Sequence, residues 1–355
     1  MSYNRIYWAI QALGIAPEGS NGDFYGTEKA AIAEAKFVSG VQSVGITTSF
    51  NLEQVFELGQ LSLYEDVEEV PDVEITIERV IDKHKLLYSR AAGVTDDTAT
   101  SISAMQNTKV DVWFSLTGDA NDNAGDNAPP EDQVYCSGMY MSSASFTLAT
   151  DGNLTESVTM VGNHKVWHSS PTAGITGAPT GTQGGTDTVM RRNNVRIYTP
   201  SAGTTSISHD LSGGAGAISE KITSVSVSVD FGREEINVLG QKLPYYRYVS
   251  YPVEVTTEIE VLARGADNVN AKPETSNVAE RAVKFFIDTK DDAAATTAGT
   301  AHADTIATID VGSKNKLTSV TWGGGDTGGA NATITYSYRN FNDLTVTSHA
   351  STYYA

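Results

Sequence analysis

The sequence predicts a mainly β protein, and three features lead to that prediction. Gly, Thr, Ser, Val and Ala are prominent in the composition, and 40% of the residues are hydrophobic against 19% charged. Apolar and polar residues alternate with a period of two in many short segments separated by turn residues. One block of such segments occurs twice. The 355 residues are enough for two domains, each with a core of its own.

The repeat is clearest between residues 43–80 and 224–262, which match at an offset of 181 and, after one residue is dropped, of 180. Residues 141–146 also match 317–322, at an offset of 176. A period near 180 is too long for a solenoid unit, so each copy is expected to be a whole domain.

We therefore predict two tandem domains, at residues 1–185 and 186–355. A Gly- and Thr-rich linker begins at about residue 169.

The local patterns predict the remaining elements in order. Residues 3–16 fit either a strand or a short helix, and Thr27–Val38 favours a helix because Ala, Glu and Lys dominate it. The remaining predicted elements are an amphipathic piece at 83–92, strands at 109–116, 142–149 and 156–162, and a closing hairpin at 319–338.

Period-2 alternation divides the strands of each copy into an apolar face and a polar face. The apolar face is expected to pack on a core, and the polar face carries small hydroxyl and acidic groups. The polar positions are Ser43, Thr47, Ser49, Glu74, Thr76 and Glu78 in the first copy, and Ser224, Ser226, Ser228, Glu254, Thr256, Glu258 and Glu260 in the second. Such a face fits either a solvated sheet surface or the wall of a hydrophilic, negatively charged channel.

Each copy also contains a connecting segment of about twenty residues, Asn51–Asp72 and Gly232–Pro252. Segments of this length are too long for a tight turn and usually serve a function. They carry apolar side chains that need a partner to bury them, namely Val55, Phe56, Leu58, Ile236, Val238 and Leu239.

The charge argues against phosphate recognition. The net charge is −19, and residues 1–185 hold 9 Lys and Arg against 24 Asp and Glu. Nucleic-acid affinity comes from Lys and Arg that displace counterions, so we expect DNA to be repelled rather than bound. The lone Cys136 excludes an internal disulfide framework. No segment resembles a signal peptide or a membrane helix, so we expect synthesis in a cytoplasm.

The candidate chemical motifs are weak. The acidic loop 119–127 departs from the EF-hand pattern at Ala124 and Pro130, and we interpret it as a solvated loop. His164 and His168 have a spacing of four but no adjacent Glu, and they are expected to be ordinary surface or core residues. Gly323–Gly329 lacks the Lys-Ser/Thr of a phosphate loop, and Cys136 has no nearby His. No nucleophile elbow occurs. We predict neither an enzyme nor a metal or cofactor site.

With these residues in hand, the chain resembles the bacteriophage tail tube (major tail) proteins. The resemblance lies in residues 41–60 with 71–80, 137–163, 231–241 with 251–261, and 326–346. It implies tandem tail-tube-like β-sandwich or barrel domains, each with a flanking helix and a long inter-ring loop. Family members form six-membered rings that stack into a tube through which the genome passes.

The resemblance implies roles for these residues. The thirteen polar positions would line the lumen, and the six apolar positions of the long segments would reach the next ring. The protein's partners would be itself and, in the tail, the sheath, tape measure, baseplate and tail terminator proteins, with DNA passing through unbound and no membrane contact. The location would be the virion tail, after synthesis in the cytoplasm of a bacterial host.

Because the tube domain is duplicated, three chains would make a pseudo-sixfold ring; six chains is the competing count. Two alternatives stay open: a tail-tip or baseplate ring that initiates the tube, and a surface β-domain adhesin. An enzyme would need paired carboxylates or a nucleophile in a cleft.

Overall fold

The structure is a computed structural model that describes residues 5–19, 32–94, 99–118, 120–121, 123–125, 128–178, 189–198, 221–264, 280, 282–289, 301, 304–325 and 331–349. Strands dominate these residues, which confirms the mainly β fold class. The only α-helix among them is α1 (Leu87–Ala91). Short 3-10 turns lie at Trp8–Ile10, Ile32–Glu34, Ile102–Met105 and Arg192–Asn194. None of the helices in these ranges is long and apolar enough to cross a membrane.

The strands of the first half are β1 (Gln11–Pro17), β2 (Lys36–Phe37), β3 (Val41–Ser49), β4 (Leu52–Phe56), β5 (Leu63–Glu68), β6 (Asp72–Val80), β7 (Thr100–Ser101), β8 (Val110–Leu116), β9 (Asp132–Ala149), β10 (Thr155–Gly162) and β11 (Val166–Ser169). Those of the second half are β12 (Val195–Tyr198), β13 (Ile222–Asp230), β14 (Arg233–Ile236), β15 (Tyr246–Val249), β16 (Glu254–Leu262), β17 (Lys284–Asp288), β18 (Thr305–Asp310), β19 (Lys316–Gly323), β20 (Thr333–Phe341) and β21 (Thr345–Ser348).

Eight of these strands form one continuous antiparallel layer, the front sheet, in the order β3-β6-β10-β9-β13-β16-β20-β19. Each half supplies four neighbouring strands in the same relative order, and β9 of the first half pairs with β13 of the second. The front sheet is therefore two copies of one four-stranded unit joined edge to edge.

The back of the molecule repeats in the same way. Strands β1, β8, β9 and β11 pair in that order in the first half, and β12, β17, β18 and β21 pair in that order in the second. Strand β9, 18 residues long, takes part in both layers, because its first part pairs with β8 and its second part with β10. No closed barrel forms among the described strands.

One apolar cluster fills the space between the layers. It contains Ile75 and Val227 of the front sheet together with Val112 and Ile309 of the back strands. Members of both halves belong to this cluster, and a second, smaller cluster around Trp113 lies within the first half. The boundary at residue 185 stays a prediction.

The predicted helix Thr27–Val38 is wrong in its described part. Residues 32–34 form a 3-10 turn and Lys36–Phe37 form strand β2, which pairs with β1. The amide of Val38 donates to the Leu13 carbonyl at 2.9 Å, and its side chain is buried. Backbone pairing and burial have outweighed helix propensity here. The amphipathic piece 83–92 contains α1, but no α-helix flanks the second half in its described residues.

The expected strands at 109–116, 142–149 and 156–162 are confirmed as β8, the end of β9, and β10. The closing hairpin is confirmed as the antiparallel pair β19–β20. Residues 3–16 contain a 3-10 turn followed by β1.

Candidate functional site: a polar sheet face, two hairpins and two open edges

The front sheet has a polar face turned away from the core. All thirteen sequence-predicted polar positions lie on this face, in strands β3, β6, β13 and β16, because directly paired residues share a side of the sheet. Their neighbours on β9 and β10, including Ser143, Ser145, Ser157 and Thr159, continue the same surface. The result is one hydroxyl-rich surface that spans both halves.

Equivalent hydrogen bonds recur on this face. The hydroxyl of Ser43 donates to Glu78 at 3.0 Å, and that of Ser224 donates to Glu260 at 3.1 Å. Strand β6 therefore corresponds to β16 at an offset of 182, not at the 180 expected from the sequence match. The shift of two residues leaves every side chain on its expected face.

The charge on this face is strongly negative. In the described part of the front sheet its acidic side chains are Asp72, Glu74, Glu78, Asp230, Glu254, Glu258 and Glu260. The basic ones are Lys316 and Arg339, and Arg339 lies 3.8 Å from Glu254. Such a surface repels phosphate and gives it no array of cations to bind.

The two long connecting segments are β-hairpins, not loops, which corrects the expectation from their length. Strands β4 and β5 pair with Leu52 opposite Glu68, and β14 and β15 pair with Arg233 opposite Val249, each position 181 residues after its counterpart. Their tips contain Gly59 and Gly240, whose φ values of 105° and 87° are readily adopted only by glycine.

The hairpins expose apolar side chains. All six predicted inter-ring residues are exposed, and Leu58 and Leu239 at the tips are fully so. Leu61 and Tyr64 extend the exposed set on the first hairpin, and Tyr245 extends it on the second; Phe50, just before the first hairpin, is also exposed. Exposed apolar groups gathered in this way mark an interaction surface.

The hairpins differ in how they are held. Arg233 of the second hairpin donates to the carbonyls of Met105, Gln106 and Met141 at 2.7, 2.9 and 2.9 Å. These carbonyls belong to the first half, so this arginine ties the two halves together across the β9–β13 junction. Arg247 adds bonds to Asp72 and Asn163 at 2.5 and 3.2 Å. At the equivalent positions 181 residues earlier, the first hairpin has Leu52 and Asp66.

The front sheet ends in two open edges, β3 and β19. Among the described strands, β3 pairs only with β6, and β19 only with β20. Their internal counterparts, β13 and β9, pair on both sides. Long strand edges are templates for pairing with another chain. The sequence analysis predicted neither these open edges nor the arginine ties. The open edges could have been inferred from the repeat, because two copies of a sheet unit joined edge to edge leave one edge of each type unpaired.

Helix α1 is held in the core by a buried charged network. Glu156 accepts the amides of Leu87 and Tyr88 at 2.8 and 2.7 Å, and Arg79 lies 3.9 Å from Glu156 and donates to Asp82 at 2.7 Å. Burial raises the pKa of Glu156, against the lowering effect of Arg79 and of the two amides. Burial also opposes the charge of Asp82, but hydrogen bonds and Arg79 hold its pKa well below the usual range.

The weaker chemical candidates acquire no support from the described residues. Asp119, Asp122, Asp126 and Asn127 of the acidic loop lie outside them, as does most of Gly323–Gly329. No group of three or more potential metal ligands occurs within the described ranges. The ring of His164 packs at 5.8 Å from that of Tyr135. Cys136 is buried, and burial raises its pKa to about 12, so its thiol is unreactive at neutral pH.

Comparison with known proteins gives a structural likeness but no sequence match. No protein-family model and no curated protein sequence matches the chain. Among solved structures, the chain is similar to a chain of the cryo-EM structure of the anti-feeding prophage (AFP) baseplate, symmetrised six-fold. The match covers 48% of this chain and 99% of that one, with 10% identity and a TM-score of 0.33. We draw no functional conclusion from a likeness this distant.

Proposed function

We propose that this chain is a structural virion protein of a phage-type tail, whose copies join edge to edge into rings that stack as the tail tube. The observation that carries the proposal is the front sheet, in which a duplicated four-stranded unit ends in two complementary open edges. The edge of one copy fits the opposite edge of the next, as β9 fits β13 inside the chain. Head-to-tail contacts of this kind close into rings when the rotation per copy permits.

The ring is proposed to contain three chains. Three front sheets of eight strands supply 24 strands. With a strand spacing of about 4.8 Å and a tilt of about 40°, they close with a backbone diameter of about 48 Å. Six chains would give about 96 Å by the same relation. The smaller barrel still admits a DNA double helix.

In this ring the polar face lines the channel. Its hydroxyl and carboxylate groups form a wet, negative wall along which a DNA duplex slides without binding. The opposite face is already buried against the back strands and α1. The proposed role is structural rather than enzymatic, and it requires no cofactor.

The exposed hairpins are proposed to join successive rings. Their tips are the most exposed apolar groups of the front-sheet connections, and a stacked neighbour would remove them from water. Sheath, tape measure, baseplate and terminator proteins are the further partners that a tail assembly implies.

Electron microscopy of the purified protein over a range of concentrations tests this proposal. Stacked rings with a central hole support the tube. Single rings that never stack favour the alternative of a tail-tip or baseplate ring that initiates the tube. Monomers that persist at high concentration, with or without tail-tip components, would refute the proposal and favour the alternative of a surface adhesin.

A further inference from the structure

The junction inside the chain gives a residue-level template for the junction between chains. Strands β9 and β13 pair with Phe146 opposite Val227 and Ser145 opposite Ser228. Phe146, Val227 and Val229 are buried on the core side of this junction. In the ring proposed above, the junction between neighbouring chains would follow the same pairing pattern. The inference below therefore rests on the proposed function.

Two irregularities fix how the open edges correspond to the internal ones. The β9–β10 ladder shifts register between Met141 and Ser143, and the β19–β20 ladder between Leu317 and Ser319, which equates Ser143 with Ser319. The β3–β6 ladder shifts between Val41 and Ser43, and the β13–β16 ladder between Ile222 and Ser224, which equates Ser43 with Ser224. Because bulges mark fixed positions in a ladder, these equivalences do not depend on sequence identity.

We propose that β19 of one chain pairs antiparallel with β3 of a second copy in one defined register. Transferring the internal pairs by these equivalences places Ser319 opposite Ser49, Thr321 opposite Thr47 and Trp322 opposite Ile46. The hydroxyl pairs then continue the polar face, and the Trp322–Ile46 pair lies on the core side.

The side chains at this junction fit burial by a second copy. Trp322 is 48% exposed and Phe50 is 71% exposed, whereas their internal counterparts Phe146 and Phe231 are both 0% exposed. Ile46 is half-buried, although its counterpart Val227 is fully buried. The apolar groups left uncovered in one chain are thus the ones that the internal junction covers.

The two junctions differ in chemistry. Arg233 ties the internal junction together by donating to three carbonyls. The equivalent position beside the open edge is Leu52, which is exposed and begins β4 just after β3. The junction between chains is therefore sealed by apolar contact without the arginine tie. Sulfate salts, which strengthen apolar burial, should promote ring closure rather than weaken it.

A cysteine-pair experiment tests the register. The variant Thr47→Cys/Thr321→Cys carries directly opposite residues and should form chain-to-chain disulfides on mild oxidation, ending in a closed covalent ring. In the control Thr47→Cys/Ser319→Cys, the two cysteines lie on the same face but two residues out of register, and they should give few crosslinks. The buried Cys136 stays outside the reaction. The proposed register is wrong if rings are visible by electron microscopy but the control pair crosslinks, or neither pair does. If no assembly forms at all, the proposed function itself is wrong.

A second variant tests the apolar seal. Trp322→Ala should lower the association constant between chains, measured by sedimentation, about a hundredfold. The reason is that the partner covers the exposed part of the indole. The control Trp8→Ala removes an even more exposed indole outside both edges and should leave assembly unchanged. Equal effects of the two substitutions would contradict a junction at β19.

Discussion

The buried pair Arg79–Glu156 offers a quantitative test, because the repeat supplies its own apolar replacement. Arg79 lies opposite Glu156 on β6 and β10, and at the equivalent place on β16 and β20 Val261 lies opposite Ile334. All four side chains are buried. We therefore compare the single substitutions Arg79→Val and Glu156→Ile with the double one, which installs the pair of the second half in the first.

Each single substitution should be costly. Glu156→Ile leaves a buried guanidinium beside a lost carboxylate and the amides of Leu87 and Tyr88 without their acceptor. Removing one partner of a buried pair costs about 3–5 kcal/mol. Arg79→Val should cost a similar amount, because Asp82 and Glu156 lose the same cation.

The double substitution should cost less than the sum of the singles, by about 2–3 kcal/mol, because no uncompensated guanidinium or Glu156 carboxylate is left behind. Urea unfolding of the monomer measures the three free energies. The control is the partly buried pair Thr76–Thr159 on the polar face, whose hydroxyls lie 3.4 Å apart. A double-mutant cycle that replaces both with Val should give a coupling energy below about 0.5 kcal/mol. Additive costs at Arg79 and Glu156 would refute the coupled network that we describe.

Three further predictions concern the hairpins, the polar face and Asp82. Leu58→Ser with Leu239→Ser should leave single rings intact but prevent stacking in micrographs; stacks of normal length would exclude the tips as the inter-ring contact. Glu258→Lys should retain DNA in assembled tubes more strongly than Glu258→Gln, measured by DNA retention at low salt, while both variants assemble. Because its folded pKa lies below the ordinary value of 3.8, Asp82 stabilises the fold above about pH 4, and that contribution is lost as the pH falls. Asp82→Asn should lower the free energy of unfolding at neutral pH, and that free energy should then fall less steeply on acidification than in the unsubstituted protein. Parallel plots of unfolding free energy against pH for the two proteins would contradict this.

The strands and their faces could be predicted because they depend on local periodicity. Alternation placed Glu74, Glu258 and their neighbours on one side of the sheet, and the structure places them there. The same periodicity explains the error in the repeat alignment, because a two-residue slip leaves an alternating pattern unchanged. Only the ladder, with Ser43 bonded to Glu78 and Ser224 to Glu260, distinguishes an offset of 182 from 180.

What could not be predicted depends on contacts between distant segments. Lys36–Phe37 is a strand because β1 lies beside it, and its own residues favour a helix. The burial of Arg79 follows from the arrival of α1 and Glu156 from elsewhere in the chain. The open edges β3 and β19 appear only when the order of all eight strands is known.

In the proposed assembly, chains join through β3 and β19 into a ring of three with a 24-stranded wall. Cryo-electron microscopy of the assembled protein, averaged without imposed symmetry, measures both the rotational order and the backbone diameter of that wall. We predict three-fold order, a pseudo-sixfold outline and a diameter of about 48 Å. A wall of about 96 Å with six chains would contradict the proposed count of three. Rings in which β3 and β19 remain unpaired would contradict assembly through these two edges.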